Sequence, residues 1–96
     1  MSNVSVTLEI CRIKDCDHEV IFAKDFENLY ESYTAIINFF DFYNSMLYDK
    51  KIKYRKPASC VVRDQLDKHG EWSETIGKGV HQYYIDLFLR EDEAND

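Results

Sequence analysis

A chain of 96 residues has room for one hydrophobic core and not for two, with roughly 65% of its extended surface leaving water at this size. Apolar types make up 45% and charged types 31%, with three glycines and one proline, which excludes disordered, collagen-like and proline-rich linker proteins. The formal charge of −6 is uneven: residues 1–49 hold nine acids against three bases, residues 50–90 hold nine bases against five acids, and residues 91–96 add four acids.

The N-terminal segment alternates, with Val4, Val6, Leu8 and Ile10 on one face and Ser5, Thr7 and Glu9 on the other, which predicts a half-buried strand. Its parity slips at Arg12–Ile13, where the strand ends or carries a bulge. The residues Asp15, Cys16, Asp17 and His18 then read as a turn before a short second strand from Glu19 to Phe22.

From Phe26 the apolar period lengthens. Phe26, Leu29, Tyr30, Tyr33, Ile36, Ile37, Phe40, Tyr43, Met46 and Leu47 recur at three and four residues, which predicts a helix of about 22 residues. Asp25 is placed to cap it, and Glu27 and Glu31 complement the positive end of its dipole. Phe39 and Phe42 widen the apolar stripe, so the helix either sinks deeply or offers an aromatic strip to another molecule.

After Pro57, Ala58, Cys60, Val62 and Leu66 oppose Ser59, Val61, Arg63 and Gln65, which predicts a third strand. Asp67 to Gly70 supply a turn, Glu71 to Ile76 a returning strand, and Gly77-Lys78-Gly79 a second reversal. The last strand, Val80 to Arg90, carries Tyr83, Ile85 and Leu87 on one face and Tyr84, Asp86 and Phe88 on the other, so it belongs at the centre of the sheet or at an edge used by a partner. The expected class is α+β: an antiparallel sheet of four to five strands with one long helix on one face, in the order strand, short strand, helix, strand, strand, strand. Residues 1–90 are read as a single domain and 91–96 as a flexible acidic tail.

No apolar run has the length of a membrane span, and MSNVSVTLEI lacks the pattern of an export leader, so the chain reads as cytoplasmic, with no membrane partner. Three cysteines, Cys11, Cys16 and Cys60, are too few and too odd in number for a disulfide scaffold and are expected as free thiols. Cys11, Cys16 and His18 are zinc-ligand types, but their spacing falls outside the usual knuckle, and a fourth ligand would have to come from Cys60, His69 or His81. Cys60, flanked by Val61 and Val62, reads as an inert core thiol, and its pairing with His81 would need neighbouring strands. Gly77-Lys78-Gly79 lacks the context of a phosphate loop. No catalytic set, metal or cofactor is expected.

Two charged stretches remain. Lys50, Lys51, Lys53, Arg55 and Lys56, with Tyr54 among them, could meet a phosphate backbone and stack a base, although the acidic chain as a whole argues for a solvated connector. Asp15, Asp17, Glu19, Glu27 and Glu31 are expected to share one end of the molecule and to steer a basic partner. Fourteen aromatic residues exceed what a small core consumes, and Tyr30, Tyr84 and Phe88 are candidate anchors for an interface. The leading expectation is a small acidic protein-binding module, an inhibitor of antitoxin-like or immunity-like type that blocks a larger, partly basic protein. A self-associating subunit, or a nucleic-acid binder using Lys50 to Lys56, is the alternative.

Overall fold

The computed structural model describes residues 5–14, 17–47, 53–78 and 81–90. Two strands, β1 (Val6–Lys14) and β2 (Asp17–Phe26), precede two helices, α1 (Leu29–Ser45) and α2 (Ser59–His69), and two further strands follow, β3 (Glu71–Ile76) and β4 (Gln82–Leu89). The strands form one antiparallel sheet in the order β2-β1-β4-β3, so the class is α+β and the last strand is central.

The alternation of β1 and β4 decides which face is covered. Val6, Leu8 and Ile10 lie opposite Leu89, Leu87 and Ile85, and on the next strand Trp72 and Ile76 lie opposite Leu87 and Tyr83. This face meets Ile36, Phe40 and Tyr43 of α1 and Val62 and Leu66 of α2 in one core cluster. Each large apolar side chain enclosed there stabilises the fold by roughly 1.5–3 kcal/mol before the cost of ordering it. The aromatic rings close one end: Tyr83 packs edge-on against Phe39 and Tyr43, with centroids 5.8 and 5.5 Å apart. Phe39 is thus half-buried, whereas Phe42 is 60% exposed, so the widened stripe of α1 divides between core and solvent.

Several boundaries differ from the sequence reading. β2 runs on to Phe26, because Phe26 pairs with Val6 at the floor of the core, and Asp25 consequently belongs to the strand. The helix cap is Asn28, whose Oδ1 accepts the Glu31 amide at 2.8 Å while its own backbone stays extended. β1 keeps an unbroken register against β4 through Ile13, so no bulge falls at Arg12–Ile13; the extra residue sits in β2 instead, where Ile21 is inserted opposite the Ile10–Cys11 step.

The largest correction concerns residues 58–66, expected as a strand, and 67–70, expected as a turn: Ser59–His69 form α2. Val62 and Leu66, four apart, are the buried pair, while Arg63, Asp64, Asp67 and Lys68 face water and Lys68 reaches Asp64 at 3.3 Å. Gly70, with φ 75°, ends the helix in the left-handed conformation and returns its amide to the Leu66 carbonyl at 2.9 Å. Among the described residues the sheet therefore has four strands, and the helical layer has two members. None of the described helices is long and apolar enough to cross a membrane.

Candidate functional site

Both helices cover the same face, so the opposite face of the sheet has no helix over it among the described residues. The registers set its side chains in rows: Asp25, Thr7, Phe88 and Glu71; then Ala23, Glu9, Asp86 and Ser73; then Val20, Cys11, Tyr84 and Thr75. The predicted anchors Tyr84 and Phe88 therefore stand four residues apart on one open surface, with Asp86 midway between them. His18 stacks on Tyr84 with ring centroids 6.5 Å apart, which ties the far strand to the same surface.

The carboxylates at the middle of this face are its chemical peculiarity. Glu9 is directly opposite Asp86 on β1, and Glu71 is its diagonal neighbour on β3. Desolvation, a side-chain hydrogen bond with Glu71 and the charges of Glu71 and Glu9 push the Asp86 carboxyl up to about 7. Its Oδ1 is buried and accepts no hydrogen bond from the described residues. Cys11, one row away, is buried as well, and its thiol is raised by burial and then by the charges of Glu9 and Asp86, so it is held as the protonated, unreactive form.

Elsewhere the structure separates what the sequence grouped. Asp17 and Glu19 lie at the hairpin end of β2, and Glu27 and Glu31 follow its other end, about 30 Å away at 3.3 Å per residue. The acids of residues 17–31 are therefore not one patch; Asp15 lies outside the described residues. Tyr30 is 78% exposed on α1, beside a shallow cleft lined by Leu29, Tyr33, Ser59, Val62 and Arg63, and is remote in sequence and element from Tyr84 and Phe88.

The basic connector is also divided. Tyr54 is half-buried, its ring 5.7 Å from that of Tyr43, and its backbone is clipped on both sides by Asn44, with Nδ2 donating to the Tyr54 carbonyl and Oδ1 accepting the Tyr54 amide, each at 2.9 Å. The ring meant to stack a base is thus part of the core margin. Lys56 pairs with Asp41 at 2.6 Å, Lys53 and Arg55 are exposed, and Lys50 and Lys51 lie outside the described residues.

Cys60 is exposed on the first turn of α2 rather than enclosed in a core strand, so it has no neighbouring strand through which to meet His81. Cys16 lies outside the described residues, and among those described no three His, Cys, Asp or Glu side chains converge as metal ligands would. Glu9, Glu71 and Asp86 were missed as a group because β1 and β4 are distant in sequence. The one available signal was a carboxylate, Asp86, in the middle of the most apolar strand of the chain. No family model, no curated protein and no solved structure matches this chain.

Proposed function

We propose that this chain is a non-catalytic protein-binding module, an inhibitor of antitoxin-like or immunity-like type, that meets a larger, partly basic protein with the open face of its sheet. The observation that carries the reading is Asp86, a half-buried carboxyl with one unsatisfied oxygen, hemmed in by Glu9 and Glu71 and flanked by Tyr84 and Phe88. An arginine or lysine of a partner laid over Asp86 would donate the missing hydrogen bond and offset three like charges. The two rings would receive its flat or aliphatic part. Asp17, Glu19, Glu27 and Glu31 would act at longer range, attracting a basic surface without contacting its centre.

A nuclear magnetic resonance titration with an arginine-rich peptide at low salt tests this. Shifts should concentrate on Glu9, Glu71, Tyr84, Asp86 and Phe88. Because the cation binds the ionised carboxylate, affinity should rise as pH climbs through about 7 and level off above it. Tyr84→Ala should weaken binding by about tenfold, the usual effect of removing an interface ring. Shifts confined to Tyr30, Glu27 and Glu31, or an affinity independent of pH, would overturn the assignment of this face.

A further inference from the structure

We infer that β2 is the docking edge for a second copy of this chain, giving a two-fold symmetric dimer with one continuous eight-stranded sheet, whatever partner the open face takes. Among the described residues β2 has a neighbour on one side only, β1, and every residue from Asp17 to Asp25 is exposed. At its middle stand three consecutive apolar side chains, Val20, Ile21 and Phe22, which are 54%, 47% and 39% exposed. A ten-residue edge with an apolar centre is a template for strand addition. The other edge, β3, has six residues and two of its side chains, Trp72 and Ile76, turned into the core.

The bulge selects the partner. Before it, Asp17 and Glu19 share the helix-covered side with Lys14 and Arg12, while His18 and Val20 face the open side; after it, Phe22, Lys24 and Phe26 take the helix side and Ala23 and Asp25 the open side. Two copies related by an axis perpendicular to the sheet must place residues of the same side opposite one another. An axis through any single residue near the centre violates this across the bulge, for example by setting Glu19 against Ala23 or Val20 against Lys24. An axis between Ile21 and Phe22 satisfies it along the whole strand.

That register is complementary in charge. Glu19 of each copy stands opposite Lys24 of the other, twice, on the helix side, and His18 stands opposite Asp25, twice, on the open side. Asp25 is already oriented by the Thr7 hydroxyl at 2.7 Å and by Arg90 at 3.5 Å. Val20 meets Ala23, and Ile21 and Phe22 meet at the axis. A bulge ordinarily protects an edge from pairing; here it brings both halves of the strand into the one same-sided register that pairs all ten residues with those of a copy.

Sedimentation of the full chain from about 10 μM to about 0.5 mM should show a monomer–dimer equilibrium in that range. Lys24→Glu, which sets carboxylates against each other at both positions, should weaken the dimer by about tenfold or more, and adding Glu19→Lys to it should restore association. Both side chains are exposed, and circular dichroism checks that each variant is folded. In the unmodified chain, amide exchange across residues 17–26 should slow as concentration rises. A monomer throughout the range, a dimer indifferent to Lys24→Glu, a double variant that fails to recover, or exchange in β2 that ignores concentration would each overturn the inference.

Discussion

Asp86 on β4 and Glu71 on β3 meet diagonally across the open side of the sheet and share a hydrogen bond, which helps to raise the Asp86 carboxyl to about 7. Glu9 adds a third carboxyl from the opposite flank. Like charges on adjacent strands destabilise a sheet, and burial of one of them adds a desolvation penalty. This cluster therefore lowers the stability of the isolated molecule, the condition expected where a surface is arranged for something other than folding.

Asp86 gives the protein an unusual pH dependence. Asp86 binds its proton more tightly when folded, at about 7, than at its ordinary value of 3.8, so between those values the folded state carries more protons than the unfolded one. The stability it contributes is fully present below about 4 and is lost as pH rises through about 7. Glu74, raised by burial, adds a slope of the same sign. Urea unfolding from pH 4 to pH 9 should show this decline. Asp86→Asn should flatten it and stabilise the protein at pH 8 by about 1–2 kcal/mol, a magnitude reduced by solvent screening at a partly exposed site.

Gly70 and Gly77, both left-handed, should respond unequally to substitution. Gly70 has φ 75° and open space around it, so Gly70→Ala should cost about 1–2 kcal/mol, the penalty of the backbone conformation alone. Gly77 has φ 92°, and a Cβ there would overlap the His81 carbonyl oxygen and crowd the Tyr43 hydroxyl. That hydroxyl donates to the same carbonyl at 2.7 Å, so Gly77→Ala should break the link between α1 and the start of β4 as well, at about 3 kcal/mol or more. Thermal melts of the two variants measure the difference.

Asn44 is the amide that fixes the connector to α1. Asn44→Ala removes both hydrogen bonds to the Tyr54 backbone and should cost about 1–3 kcal/mol, with faster amide exchange at Tyr54 and at Lys53 and Arg55 beside it. Asn44→Asp keeps the acceptor for the Tyr54 amide and loses the donor, so it should lie between the two. Hydrogen exchange read by mass spectrometry distinguishes a local release from global unfolding.

The elements whose pattern matches their surroundings were legible in the sequence. Val6, Leu8 and Ile10 alternate because one side of β1 is enclosed, and Ile36, Phe40 and Tyr43 recur at helical spacing because one stripe of α1 is enclosed. α2 was misread because Val61 and Val62 favour strands and the segment alternates by accident, while its two informative features are the four-residue spacing of Val62 and Leu66 and the helix-ending Gly70. A short helix whose inner face has two buried residues leaves too few apolar positions to define a period.

From its sequence alone this chain determined an α+β class, a half-buried first strand, one long helix, and a last strand with Tyr83 and Tyr84 on opposite sides of it, since a period of two or of 3.6 is a local property of neighbouring residues. Only the tertiary structure decided that Glu9, Glu71 and Asp86 would crowd together, that Asp17 and Glu31 would lie at opposite ends, and that Ile21 would shift the face of half an edge strand. Those outcomes depend on which strands pair and in what register. Pairing between residues some 75 positions apart is set by the packing of the whole core, and no segment read by itself contains it.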